Sequence, residues 1–125
     1  MAKLWRAINQ TRGTVLCAKL ADAGGVAGQS RGLLGRDGLA PGEGMLFERG
    51  RLSPVMWMHM FFMRFAIDIV FLDRSGRVLK INRELKPWRV SSTVFGAKRA
   101  LEIEAGAAAR SQTDRGDYIV LEPSA

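Results

Sequence analysis

Met56-Trp57-Met58-His59-Met60-Phe61-Phe62-Met63-Arg64-Phe65-Ala66-Ile67-Asp68-Ile69-Val70-Phe71-Leu72-Asp73 is the most apolar run of this chain, and its reading decides the fold. It holds the only histidine and four of the six methionines. A bilayer-spanning helix takes about 20 consecutive apolar residues, and Arg64 and Asp68 break the run too early for that. Its second half, Ile67 to Leu72, is rich in β-branched and aromatic residues and is followed by Asp73-Arg74-Ser75-Gly76. Arg77-Val78-Leu79-Lys80-Ile81-Asn82 then returns. The pattern predicts a hairpin in which Ile67–Leu72 pairs with Val78–Asn82 around a turn centred on Ser75-Gly76. Val55 to Met60 predicts another strand, and Phe61 to Ala66 the connection that turns the chain back. Asp68 stands inside an apolar strand, which costs free energy unless the carboxylate is paired or solvated. Either it accepts backbone N–H groups or an arginine, or it forms the floor of a cleft; the first reading is the simpler.

Working outward, Lys3 to Asn9 reads as an edge strand and Thr14 to Ala21 as a second strand. Val26 to Leu34 has helix-compatible spacing and predicts a short helix. Gly44 to Glu48 is a compact buried strand, and Arg99 to Glu104 alternates as a strand. Ala105 to Arg110 favours one or two helical turns, and Tyr118 to Leu121 a closing strand. Leu85 to Arg89 is a loop expected to pin Trp88, and Val90 to Gly96 is irregular. Short strands separated by Gly-rich turns predict a mainly β fold, a compact β-sandwich or barrel with one or two small helices. At 125 residues the chain reads as a single domain, 1–125.

Composition narrows the function. A hydrophobic content of 47% supplies a core and excludes disorder. Cys17 is alone, so no internal disulfide forms, and its apolar neighbours predict a buried, inert thiol. The start shows no uninterrupted apolar segment of a secretory signal, and a reducing cytoplasm is the expected location. The formal charge is +7 and the sequence pI about 10.5, enough to attract polyanions non-specifically. Arg74, Arg77, Lys80, Arg83, Lys86 and Arg89 fall within one stretch and constitute a candidate basic face.

Candidate chemistry is sparse. One His and one Cys cannot build a conventional zinc site, an oxygen-only site from Asp68, Glu102 or Glu104 is the remaining alternative, and no metal or cofactor is expected. A Cys17–His59 nucleophile pair would need both side chains at one cleft. Gly24-Gly25-Val26-Ala27-Gly28 lacks the Gly-Lys-Ser/Thr ending of a phosphate loop. Trp57, Trp88 and Phe95 with neighbouring arginines have the makings of a stacking groove.

Five motifs in register carry a resemblance. Ser30-Arg31-Gly32-Leu33-Leu34-Gly35-Arg36, Gly44-Met45-Leu46-Phe47, Trp57-Met58 running to Asp68-Ile69-Val70-Phe71, Lys86-Pro87-Trp88, and Leu101-Glu102-Ile103 with Ala105-Gly106 resemble the family called domain of unknown function 192. The resemblance extends from about Thr14 to the C-terminus. It implies a compact β-sandwich or barrel and an activity that is itself unassigned. Relatives are often exported, and they carry a lysine where His59 stands and an Asn-Thr pair near Met60 and Phe61. This chain has lost those polar groups.

Three functions follow as expectations. The first is a binding module for a small polar or anionic ligand, with Arg31, Trp57, His59, Asp68 and Glu102 around a cleft. The second is a nucleic-acid-associated protein using the stretch 74–99, binding weakly and with steep salt dependence. The third is a hydrolase built on Asp68 and Glu102. No membrane partner is expected.

Overall fold

The computed structural model describes residues 4–22, 33, 36–49 and 53–124. Nine strands and one short helix are seen among these residues: β1 (Leu4–Asn9), β2 (Thr14–Asp22), β3 (Glu43–Glu48), β4 (Val55–Met56), β5 (Ile67–Leu72), β6 (Val78–Leu85), β7 (Val94–Phe95), β8 (Arg99–Glu104), α1 (Ala107–Arg110) and β9 (Ile119–Pro123). Seven strands form one sheet in the order β6-β5-β8-β3-β2-β1-β9, and β4 pairs with β7 separately. All pairings are antiparallel except β2 with β3.

The predicted hairpin is present. β5 pairs with β6, and the Asp73 carboxylate holds the turn by accepting the N–H groups of Ser75 and Arg77 at 2.9 and 3.0 Å. The sheet curls until its two edge strands meet. Val78 N–H donates to the Asp117 carbonyl, Gly116 N–H to Val78 and Ile119 N–H to Gly76, each at 2.8 Å. This seam partly closes a barrel and covers edges that would otherwise be open to pairing. Gly76 permits it: its φ is +91° and a Cβ there would stand 2.4 Å from the Ile119 carbonyl oxygen.

β5 is buried at every position, because the sheet is covered on both faces, which is why its sequence is apolar everywhere but at Asp68 rather than alternating. Val70 and Leu72 join Leu16, Cys17, Leu20, Leu101 and Ile103 in an inner core enclosed by the curl. Ile67, Ile69 and Phe71 face an outer core completed by Leu33, Phe47, Met56, Met60, Met63, Val94 and Ala97.

Three expectations need correction. β1 is not an edge strand, since it lies between β2 and β9. The strand expected over Val55–Met60 is regular only at Val55–Met56 and resumes as an isolated bridge between His59 and Val90. Trp88 is not pinned in the core but stands 59% exposed. The helix expected over Val26–Leu34 lies outside the described residues apart from Leu33. No helix among the described residues is long and apolar enough to cross a membrane.

Candidate functional site

The site residues expected from sequence do not assemble into one cleft. Asp68 is buried, and both carboxylate oxygens are used: Oδ1 accepts Glu84 N–H at 2.8 Å and Oδ2 accepts Ala108 N–H at 3.0 Å. Gly106, the residue capping α1, offers no side chain. Asp68 therefore caps that helix from across the sheet, satisfying a donor that the helix cannot. It also holds the Glu84 backbone, whose φ is +48°.

Glu102 lies on the other face. In the β5–β8 register Asp68 is opposite Ile103, and Glu102 is opposite Ile69. Asp68 thus points with the inner core and Glu102 with the outer core, so the sheet separates the two carboxylates. An acid–base pair needs both groups on one substrate, and this arrangement gives them none to share. Glu102 is 5% exposed, flanked by Met45 and Ile69, and makes no hydrogen bond or ion pair among the described residues. Burial pushes its carboxyl up to about 8. Cys17 is equally withdrawn. Its thiol donates to the Gly42 carbonyl at 3.2 Å, and burial pushes it up to about 11. It sits in the inner core, whereas His59 is exposed outside the outer core, so the Cys–His pair does not form. Arg31 lies outside the described residues. No metal-holding group of His, Cys, Asp or Glu is present among the described residues.

The basic residues Arg74, Arg77, Lys80, Arg83, Lys86 and Arg89 are all exposed but are distributed around β6. Lys80 pairs across from Phe71, on the outer-core side. Arg83 points the other way and donates to the Thr113 carbonyl at 3.0 Å. Lys86 and Arg89 belong to the next loop, with no ion pair among the described residues.

That loop leads to the feature the sequence reading underweighted. Residues 55–61 and 88–95 form an irregular two-stranded ribbon across the outer core. β4 and β7 pair at one end, Ser91 N–H donates to the Met58 carbonyl at 2.8 Å, and His59 bridges Val90. Met60 N–H donates to the Arg89 carbonyl, and Trp88 N–H to the Met60 carbonyl, both at 2.7 Å. Strand geometry sends alternate side chains to opposite sides. Met56, Met58 and Met60 therefore point into the outer core, and Trp57, His59 and Phe61 point to solvent.

The outward side chains form a continuous ridge. Ring centroids are 6.4 Å apart for Trp57–His59, 4.9 Å for the stacked His59–Phe61 pair, 6.3 Å for Phe61–Trp88 and 4.7 Å for Phe62–Trp88. Phe95, opposite Val55, extends the same face. Exposure is 51% for Trp57, 67% for Phe62 and 78% for Phe95. Phe62 and Trp88 have φ of +65° and +67°, a region that bulky residues rarely occupy. His59 Nδ1 accepts the Phe61 N–H at 3.3 Å, leaving the ring to carry its neutral-state proton on Nε2. Of the five residues proposed for the cleft, only Trp57 and His59 belong to this surface, joined by Trp88 and Phe95 of the expected stacking groove. Phe61, Phe62 and Val90 complete it, and the Met-Trp-Met-His-Met-Phe alternation was the signal that could have found Phe61.

The family model DUF192, described as "Uncharacterized ACR", matches residues 7–121. A UPF0127 protein of Thermococcus sibiricus (strain DSM 12597 / MM 739) is 32% identical over 120 residues, covering 92% of this chain and 73% of the relative. Two crystal structures share the fold. A suspected transcription regulator from Sinorhizobium meliloti 1021 superposes with a TM-score of 0.79 at 24% identity, covering 98% of this chain and 94% of its own. A protein of unknown function from Novosphingobium aromaticivorans DSM 12444 gives a TM-score of 0.79 at 26% identity, with 95% and 84% covered. At these identities the two structures speak to architecture, and the match over nearly the whole chain speaks to descent: this protein belongs to the DUF192 family.

Proposed function

We propose that this protein is a binding module, that its recognition surface is the outward face of the 55–61/88–95 ribbon, and that its ligand carries an apolar or ring surface beside an anionic group. The observation that supports this most is the alternation of methionines inward and rings outward. The inward methionines account for folding, whereas the outward rings contribute little to it. Burying each such side chain would contribute about 1.5–3 kcal/mol, and a contiguous exposed apolar ridge is characteristic of an interaction surface. Phe62 and Trp88 are held outward at positive φ, at a strain of about 1–3 kcal/mol each, and such strain clusters at functional positions. Exposed Lys86 and Arg89 flank the ridge and favour an anionic group on the ligand.

The test uses tryptophan emission. The chain has three tryptophans, and Trp57 and Trp88 lie on the ridge while Trp5 packs against the inner core. Nucleoside monophosphates, sugar phosphates and a short-chain anionic phospholipid are titrated in turn. A saturable change with at least one of them, lost when Trp57 and Trp88 are both replaced by Phe, is the expected result. A response carried by Trp5, or none with any ligand, argues against the reading.

A further inference from the structure

We infer that the ligand of this ridge is the interface of an anionic lipid bilayer, an inference that rests on the ribbon being a binding surface. The rings of the ridge are packed against one another. A base or sugar held between two rings needs about 7 Å between parallel planes, twice the ~3.5 Å contact distance. His59 and Phe61 already stack on one another at 4.9 Å, and Phe62 and Trp88 touch at 4.7 Å with planes tilted by 58°. The ridge is a closed row with no slot between these rings.

The composition of the ridge also suits a bilayer. Val55, Val90, Phe62 and Phe95 offer hydrocarbon without a polar tip. Aliphatic groups give a planar ligand little to stack on but partition readily into the acyl boundary of a bilayer. Trp57 and Trp88 are of the type that settles at the headgroup level.

The ribbon backbone is already hydrogen-bonded. Backbone groups that leave water must already be paired. Here Met60, Trp88 and Ser91 donate to carbonyls across the ribbon, and Met58 N–H donates to Ser91 Oγ at 2.7 Å. Cations border the ridge. Lys86 and Arg89 lie beside Trp88 with no ion pair among the described residues, and Arg64, joined to Asp37 at 3.0 Å, stands exposed two residues after Phe62. Clustered cations beside an apolar wedge are attracted to anionic headgroups. Two exposed acids stand nearby, Asp37 paired with Arg64 and Glu84 in β6, which leaves Lys86 and Arg89 as the cations in excess over Glu84.

Vesicles of phosphatidylcholine alone, and of equal parts phosphatidylcholine and phosphatidylglycerol, are sedimented with the full chain while tryptophan emission is recorded. Binding to the anionic vesicles at least about tenfold tighter than to the neutral ones, with a blue shift, is expected. Phe62→Ser with Phe95→Ser should weaken it by about tenfold or more without lowering the melting temperature. Lys86→Glu with Arg89→Glu should abolish the preference for anionic vesicles. The inference is overturned by failure to bind either vesicle, by binding that the double Ser variant leaves unchanged, or by a dimer that buries the ridge and excludes vesicles. A soluble nucleotide or sugar phosphate that shifts Trp57 and Trp88 while vesicles do not bind would overturn the lipid assignment yet leave the binding module standing. Silence toward vesicles and soluble ligands alike removes both.

Discussion

Glu102 holds its proton where an ordinary glutamate would not, and this makes it a pH-dependent liability of the folded state. Its folded pKa, pushed up to about 8 by burial, lies above the unfolded value of 4.5. The unfolded chain therefore releases the proton first. Stability is fully present below about pH 4.5, falls across the interval up to about pH 8, and then levels off, at a slope of at most about 1.4 kcal/mol per pH unit. Glu102→Gln is expected to flatten that slope in denaturation curves taken between those limits; an unchanged slope would show that another group causes it. Asp68 is held differently, with both carboxylate oxygens accepting fixed backbone donors. Asp68→Ala should destabilise by about 1–3 kcal/mol through the two N–H groups left unpaired, read from the urea midpoint. The satisfied state of Asp68 was legible in sequence, since an acid in the middle of Ile-Asp-Ile-Val-Phe needs partners. The burial of Glu102 was not. Arg-Ala-Leu-Glu-Ile-Glu alternates like a half-exposed strand, yet the face that carries Glu102 looks into the outer core.

Among the elements, the ribbon separates packing from recognition most cleanly. Met60→Ala removes a fully buried side chain and is expected to lower stability by about 2–5 kcal/mol. Trp57→Ala, on the outward side of the same alternation, should change it by no more than about 0.5 kcal/mol. Parallel denaturation of the two variants decides this, and a comparable loss in both would mean that Trp57 is a core residue after all. The β5–β6 hairpin and β8 were readable because their residues alternate or cluster locally and end in Gly-containing turns. The ribbon was half readable: its methionines and aromatics were counted as one apolar mass. Their division into two faces depends on β7 and the 88–92 segment, whose sequence is irregular and whose pairing is long-range. The turn before β9 carries a buried polar cluster that no local pattern announced. Asp117 Oδ2 accepts Asn9 Nδ2–H at 3.0 Å, Arg12 Nε–H at 3.2 Å and Asp114 N–H at 3.0 Å. Burial works against the ionised carboxylate, but these donors hold its pKa below the ordinary 3.8. Its contribution is therefore present above that ordinary value and is lost as pH falls through the folded one. Asp117→Asn should reduce the acid-induced fall in stability seen below about pH 4.

The whole molecule is fastened where β6 meets β9. Gly76→Ala would set a methyl against the Ile119 carbonyl and force a residue with a Cβ to positive φ. A loss of about 1–3 kcal/mol or more is expected, with faster hydrogen exchange at Val78 and Ile119. Equal exchange in both proteins would mean that the seam contributes nothing. A mainly β barrel-like architecture could be read from strand count and turns, but the order of strands could not, because β1 takes its second neighbour from the opposite end of the chain. That neighbour has a consequence for synthesis. Trp5 pairs with Pro123 and Asn9 with Ile119, so a chain still growing on the ribosome lacks one border of β1 until β9 has been made. Non-local pairings of this kind fold slowly, and the early apolar strands must wait with an edge open. Nascent chains halted before Ile119 should be cut readily by protease, and resistance should appear only after β9 has left the exit tunnel.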